Sequence, residues 1–240
     1  MKVIITENYE EMSKKAAELI IDVVKKNPKA VLGFATGSSP IDLYQNLIKD
    51  HKENGTSYQQ VLTVNLDEYV GLNAEHDQSY AYFMRTNLFD YIDVDKKNTN
   101  LPNGVAPDAK AECDRYNALL AENQQDVQIL GLGSNGHIGF NEPNTPFDSV
   151  THLVELTENT IKDNSRLFKS IDEVPRTALS MGIKNIMQAK SIVMVVSGKN
   201  KAEAVKGMVK GEITPALPAS VLQLHPCVTI VCDKDAASLL

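Results

Sequence analysis

Short, nearly all-apolar runs alternate with longer segments of helical period throughout this chain. Runs such as AVLGFA (30–35) and SIVMVVS (191–197) contain almost no polar residues, which is typical of strands buried on both faces of a parallel sheet. Between them, segments such as 8–26 repeat apolar residues at the 3.6-residue period of a helix. The predicted strands are 3–6, 30–35, 61–66, 127–133, 191–197 and 228–233, and the predicted helices are 8–26, 40–54, 79–92, 108–123 and 199–210.

This alternation predicts an α/β fold with a doubly wound, mostly parallel sheet and helices on both faces. Parallel neighbours need a crossover connection, and a helix between successive strands supplies it. No linker, repeat or shift in composition divides the 240 residues, so we expect a single domain over residues 1–240. Ligands of such sheets bind beyond the carboxyl ends of the strands, which here are followed by residues 36–40, 67–71, 134–143 and 198–201.

Charge and composition limit the partners of the chain. The formal net charge is −7 and no basic block exceeds a pair of lysines, so we expect no nucleic acid and no membrane surface as partner. No apolar run approaches the roughly 18 residues of a membrane span, and the start MKVIITENYEEMSKK lacks a signal-peptide core. The three cysteines, Cys113, Cys227 and Cys232, form no CxxC pair; we expect buried small hydrophobes in the reducing cytoplasm.

The turn ATGSSP (35–40) follows a predicted strand and precedes a helix. Its candidate ligand residues are Thr36, Gly37, Ser38 and Ser39. Backbone N–H groups at such a turn, together with the positive end of the helix dipole, favour an anion such as phosphate. The alternative is an ordinary N-cap turn, because Ser is common there in any case. The turn lacks the Lys of a P-loop, so nucleotide binding is not indicated.

The segment NLDEYVGL (65–72) places two adjacent carboxylates at the end of the third predicted strand. Neighbouring residues of a strand point in different directions, so at most one of Asp67 and Glu68 faces a given ligand. The alternative interpretation is an acidic turn in contact with solvent.

The segment GLGSNGHIGFNEP (131–143) is the most informative of the chain. GLGSNG fits the dinucleotide-binding pattern G-x-G-x-x-G, but Pro143 and Pro146 exclude the amphipathic helix that this pattern requires next. A glycine-lined loop that presents Asn135, His137 and Glu142 fits better. An exposed histidine with a nearby acid suits acid–base catalysis, whereas a purely structural histidine is the alternative.

Two basic residues complete a candidate phosphate site. Arg166 lies in TIKDNSRLF, within a predicted helix, and Lys201 follows a strand in SGKNKAEAV. Each alone is typical of an exposed surface charge. Two cations and a helix start are nevertheless sufficient to hold a phosphosugar without a metal ion.

Several segments together resemble the glucosamine-6-phosphate deaminase family, in its small, non-allosteric form. The segments are VLGFATGSSP, LTVNLDEY, GLGSNGHIGFNEP, NSRLF and SGKNKAEAV, and the similarity runs from Met1 to about Asp235. The resemblance implies a Rossmann-like sheet and a cytoplasmic hydrolase of amino-sugar catabolism without metal or organic cofactor. The implied reaction converts glucosamine 6-phosphate and water to fructose 6-phosphate and ammonia.

The resemblance also implies the roles of the candidate residues. Asp67 corresponds to the base that takes the C2 proton, and His137 to the acid–base group that opens the sugar ring, supported by Asn135 and Glu142. The phosphate contacts fall on Thr36, Gly37, Ser38, Ser39, Arg166 and Lys201. Some family members have Asp in place of Asn135, so here the histidine lacks that negative partner and we expect Glu142 to be the partner of the imidazolium.

Two other functions remain open from the sequence. A 6-phosphogluconolactonase shares the sheet and the phosphate loop but needs no base at Asp67, and a sugar-phosphate-sensing domain shares the fold. We expect a monomer or small oligomer that is not activated by N-acetylglucosamine 6-phosphate. Regulated relatives place basic residues on the segment that here carries His152, Val154 and Glu155.

Overall fold

The computed structural model describes residues 1–165, 168 and 170–240. Within them the strands are β1 (Lys2–Thr6), β2 (Val31–Phe34), β3 (Leu62–Asn65), β4 (Asp67–Tyr69), β5 (Thr99–Asn100), β6 (Val127–Leu130), β7 (His152–Glu155), β8 (Thr177–Ser180), β9 (Ile192–Val196) and β10 (Val228–Asp233). The α-helices are α1 (Tyr9–Lys26), α2 (Ile41–Asn54), α3 (Tyr80–Asn87), α4 (Ala109–Glu122), α5 (Glu158–Asn164), α6 (Ile183–Met187) and α7 (Ala202–Lys210).

The described strands form one large parallel sheet and one small antiparallel sheet. The large sheet has the strand order β1-β10-β9-β6-β2-β3-β5, and all its neighbours run parallel. The predicted α/β class with a doubly wound, mostly parallel sheet is therefore confirmed. Each of the six predicted strands has a counterpart in this sheet, and the two-residue β5 adds an edge that the sequence pattern did not predict.

Apolar faces of the helices hold the layers together. In α1 the buried residues Met12, Ala16, Ile20 and Val24 recur four apart, so they lie on one face against the sheet. Asn8 fixes the start of this helix by accepting a hydrogen bond from the Glu11 N–H at 2.9 Å. The regular elements thus follow directly from the sequence pattern.

The small sheet has the order β4-β8-β7 and was not predicted from the sequence. Its strands have three or four residues each, too short for a recognisable period, and β4 pairs with the distant β8, Asp67 lying opposite Ser180. The chain leaves the large sheet after Asn65 and enters the small sheet at Asp67, which pairs with Ser180. Asp67 therefore lies where the two sheets meet.

Three local predictions need correction. The predicted helix 79–92 ends as α3 at Asn87, because Leu88 departs from helical geometry before a short 3-10 turn. Pro40 is the N-cap of α2 rather than its first helical residue. Cys113 and Cys232 are buried as expected, but Cys227 precedes β10 and is exposed.

The direction of winding reverses between β2 and β6. From β2 the chain proceeds to β3 on one side, whereas β6, β9 and β10 continue on the other. The loops after β2 and β6 diverge at this point and leave a crevice at the carboxyl ends of the strands.

Candidate active site

A cavity of about 240 Å³ occupies the crevice between the loops that follow β2 and β6. It lies at the switch point where α/β sheets bind their ligands. Most of its lining comes from these two loops and from the β3–β4 junction. The lining residues are Ala35, Thr36, Gly37, Ser38, Ser39, Leu66, Asp67, Tyr80, Gly131, Leu132, Gly133, Ser134, His137, Gly139, Phe140, Thr160 and Lys201.

The loop after β2 forms one wall of the cavity. Gly37 has a φ of +89°, a conformation that favours glycine. Tyr9 fixes the loop from outside, since its hydroxyl donates to the Ser38 carbonyl at 3.0 Å. Pro40 caps α2 without a side-chain hydrogen bond, so the alternative of an ordinary serine N-cap does not apply. Lys201, on the turn after β9, lines the same cavity.

The Asp67 carboxyl lines the cavity but is almost fully buried. Its residue exposure is 6%, and burial, reinforced by the charge of Glu68, raises the pKa of Asp67 to about 8. Glu68 points elsewhere, because its carboxylate accepts hydrogen bonds from the N–H groups of Tyr69, Tyr80 and Ala81 at 2.8–2.9 Å. Only Asp67 of the two faces the cavity, as the strand geometry predicts.

Asn135, His137 and Glu142 form a hydrogen-bonded chain, of which His137 lines the cavity. The Asn135 Oδ1 lies 2.7 Å from the His137 Nδ1, and the Asn135 Nδ2 donates to the Glu142 Oε2 at 2.8 Å. An amide oxygen accepts only, so the ring carries its proton on Nδ1 and leaves Nε2 as the basic nitrogen. Glu142 lies farther from Nδ1, at 3.6 Å, which is within ion-pair distance of a protonated ring, so it is the charged partner that we expected for the imidazolium.

Glu142 remains ionised in this arrangement. Burial raises its pKa, but hydrogen bonds from His137, Thr160 and Asn135 outweigh burial and lower the pKa to about 2. The carboxylate therefore fixes the Asn135 amide, with its NH₂ group towards Glu142 and its oxygen towards the imidazole.

Gly133 provides the space in which the His137 ring lies. A Cβ atom at Gly133 would be 2.3 Å from the His137 Nδ1, well inside van der Waals contact. The glycine pattern GLGSNG thus accommodates an imidazole rather than a pyrophosphate, which explains why the dinucleotide pattern misleads here.

Sequence reasoning missed three polar residues of the cavity, namely Ser134 in the glycine-rich loop and two residues on helices. Tyr80, at the start of α3, stacks on Phe140 with ring centroids 6.1 Å apart. Thr160, on α5, donates its hydroxyl to the Glu142 Oε1 at 2.7 Å. Neither has a sequence signal that distinguishes it from an ordinary helical residue.

The predicted phosphate ligand Arg166 lies outside the described residues, and the described part of α5 ends before it.

Two features are absent from the described residues, a metal-binding cluster and a membrane-spanning helix. No group of three or more His, Cys, Asp or Glu side chains among them has the geometry to hold a metal ion. No helix within this part of the chain is long and apolar enough to cross a membrane.

Fold and cavity together define an α/β enzyme whose site combines an anion-binding loop with acid–base side chains. The chain belongs to the family of glucosamine-6-phosphate isomerases and 6-phosphogluconolactonases, whose model matches residues 6–230. The resemblance identified in the sequence is thereby confirmed.

Full-length relatives define the branch of this family. The glucosamine-6-phosphate deaminase of Thermoanaerobacter pseudethanolicus is 54% identical over 241 residues, covering 100% of this chain and 95% of that protein. The corresponding protein of Lactobacillus delbrueckii subsp. bulgaricus is also 54% identical, with full coverage of both chains. These matches confirm the deaminase prediction over the lactonase and sensor alternatives.

Solved structures agree with this assignment. A structure described as a monomeric glucosamine-6-phosphate deaminase superposes with a TM-score of 0.98 at 47% identity, and covers 100% of both chains. The 6-phosphogluconolactonase of Trypanosoma brucei has a TM-score of 0.79 at 19% identity, covering 100% of this chain and 98% of that one. The second match concerns the fold alone.

Proposed function

We propose that the protein converts glucosamine 6-phosphate and water to fructose 6-phosphate and ammonia with the residues of this cavity. One observation carries the proposal. Asp67, His137 and the loop from Thr36 to Ser39 line one and the same cavity. A sugar held by its phosphate thus presents C1 and C2 to both groups.

The phosphate binds at the loop from Thr36 to Ser39 and to Lys201. The backbone N–H groups of the loop, the start of α2 and the ammonium of Lys201 all favour a dianion. Arg166 joins them by the family resemblance. Contacts to the phosphate are distant from the reacting carbons and therefore orient the sugar without taking part in the chemistry.

His137 opens the sugar ring. The C2 proton of a closed pyranose is not acidic, so the ring must open to the aldehyde first. The unprotonated Nε2 of His137 takes the proton of the O1 hydroxyl and returns one to the ring oxygen as the C1–O5 bond breaks. Asn135 keeps Nδ1 protonated, and the Glu142 carboxylate stabilises the transient positive charge on the ring.

Asp67 then transfers a proton from C2 to C1. In its ionised form Asp67 takes the C2 proton of the open aldehyde while O1 gains a proton from water, which gives an enolamine. The neutral acid then delivers its proton to C1, and the amino group loses a proton to water. The resulting ketimine adds water and releases ammonia, which leaves fructose 6-phosphate. The protein side of this sequence needs only acid–base groups, and we propose no metal or organic cofactor for it.

The remaining properties follow from the same proposal. A single domain over 1–240 carries the complete site and acts in the cytoplasm on a free phosphosugar. The protein is a monomer or small oligomer, which the solved relative described as monomeric supports.

The direct test is ammonia release from glucosamine 6-phosphate, with 6-phosphogluconolactone and unphosphorylated glucosamine as comparison substrates. We expect release from the phosphorylated amino sugar only. Asp67→Asn should bind the substrate but lose about 10² or more in turnover, as expected for a missing general base. Lactone hydrolysis without ammonia release, or exchange of the C2 hydrogen at the parental rate in Asp67→Asn, would contradict the proposal.

A further inference from the structure

The Glu142 carboxylate is held from two different elements of the fold. Its Oε2 accepts from the Asn135 Nδ2 at 2.8 Å, within the loop after β6. Its Oε1 accepts from the Thr160 hydroxyl at 2.7 Å, on α5. The carboxylate therefore bridges the loop that carries His137 and a helix some twenty residues further along the chain.

Local contacts fix the direction of the Thr160 hydroxyl. A carboxylate can only accept, so Thr160 must donate to Glu142. The Thr157 Oγ1 lies 3.0 Å from the Thr160 Oγ1, and it also caps α5 by accepting from the Thr160 N–H at 3.3 Å. Thr157 is a weaker partner of Glu142, since its Oγ1 lies 3.5 Å from Oε1.

Without this donor the carboxylate would have freedom to turn. The Glu142 Oε2 is 3.6 Å from the His137 Nδ1, within ion-pair distance, so a rotation of the carboxylate would bring the two atoms closer. The carboxylate would then compete with the Asn135 oxygen as acceptor of the Nδ1 proton. The imidazole would lose the orientation in which Asn135 holds it.

We propose that Thr160 is a positioning residue for His137, and that it acts through Glu142 and Asn135. The inference rests on the proposed role of His137 in ring opening. Thr160 holds one oxygen of Glu142, so the other stays with the Asn135 amide, and the amide oxygen stays with Nδ1. The hydroxyl on α5 thus sets the orientation of a ring on the opposite side of the carboxylate.

The first test is Thr160→Val, which keeps the shape of the side chain and removes the hydroxyl. We expect kcat to fall about tenfold, the size of one hydrogen bond to a charged group, with KM within about twofold. Thr160→Ser should restore kcat, because it restores the donor. Thr151→Val is the matched control, since the buried Thr151 hydroxyl has no hydrogen-bond partner among the described residues and lies outside the site.

A double-mutant cycle separates this role from a direct contact with the substrate. In a Glu142→Ala background, Thr160→Val should cause no further loss, because the group through which it acts is gone. A second loss of similar size would show that Thr160 acts independently and would overturn the inference. So would a Thr160→Val variant with parental kcat.

The Nδ1–H signal of His137 gives a second readout that does not depend on turnover. Nitrogen NMR of the full-length protein should show a protonated Nδ1 in the parent, in Thr151→Val and in Thr160→Val, with its signal shifted only in Thr160→Val, because the acceptor of that proton changes there. An unchanged His137 signal in Thr160→Val would contradict the inference. Absence of ammonia release by the parent protein would instead count against the proposed function alone.

Discussion

At the scale of single residues, the buried carboxyl of Asp67 is a candidate catalytic group whose ionisation lowers the stability of the folded protein. Its pKa in the folded protein is about 8 because of burial and the nearby Glu68, whereas an unfolded chain has an ordinary value of about 4. The folded state therefore binds the proton more tightly. Below pH 4 the carboxyl is neutral in both states. As the pH rises from about 4 to about 8 it ionises in the unfolded state before the folded state, so the free energy of unfolding falls over this range.

Asp67→Asn should accordingly stabilise the protein while it removes activity. The melting temperature of the variant should exceed that of the parent, and the gap should widen between pH 5 and pH 8, because only the parent carries the cost of ionisation. Melting curves across this range are the measurement. Asp22→Asn, at an exposed carboxyl of α1, is the control with a constant gap. A gap at Asp67 that stays the same at every pH would show that burial does not set its ionisation.

Gly133 is a second residue whose size matters. Gly133→Ala places a methyl group 2.3 Å from the Nδ1 of His137, so the imidazole must move and lose its contact with Asn135. We expect turnover to fall about 10²-fold, as for a displaced acid–base group, with the fold retained. Gly131→Ala, whose Cβ would meet nothing within 4 Å, should cost far less. Similar losses in both variants would indicate a general effect on the loop.

At the scale of elements, Glu68 anchors α3 to the β3–β4 junction. Its carboxylate accepts the N–H groups of Tyr80 and Ala81 in the first turn of the helix, besides that of Tyr69. This contact places the Tyr80 ring against the cavity. The second acid of the DE pair is therefore a buried structural group rather than part of a solvent-exposed turn.

Glu68→Gln should release this anchor. A glutamine offers one oxygen, and its NH₂ group would face backbone donors, so at least one buried N–H loses its partner at about 1–3 kcal/mol. Urea unfolding should show the loss, and hydrogen exchange should accelerate at Tyr80 and Ala81 first. Glu75→Gln, which breaks only an exposed pair with Arg85, is the control and should change little. Unaltered exchange at α3 would contradict the anchoring role.

The sequence predicted the large sheet well and the small sheet not at all, for a physical reason. Six apolar strands and their helices each bury a continuous face, which leaves a period in the sequence. The strands β4, β7 and β8 have at most four residues and depend on partners far along the chain. Likewise, the loops of the site could be located from the strand ends, but the contact of Thr160 with Glu142 arises only when α5 folds back over the loop after β6.

At the scale of the whole molecule, the side chains of β7 determine whether this strand can bind a sugar phosphate as a regulator of the enzyme. An acetylated sugar phosphate bound as an activator at this segment would need cations there. Here Val154 is buried in a small apolar cluster, and Glu155 is exposed and negative. The Nδ1 of His152 lies 2.8 Å from the Val150 carbonyl oxygen, which only accepts, so Nδ1–H donates to this oxygen. The strand therefore offers repulsion rather than binding to a second phosphosugar.

We expect the rate to depend hyperbolically on glucosamine 6-phosphate, with no activation by N-acetylglucosamine 6-phosphate. An effector can shift an equilibrium between two global states only through differential binding to them, and β7 carries neither Lys nor Arg to bind a dianion. Initial rates with and without the acetylated sugar at millimolar concentration are the measurement. A Hill coefficient near one under both conditions, with at most competitive inhibition, is the expected result. A sigmoidal curve that becomes hyperbolic on addition would mean that another surface of the molecule has taken over the role of β7.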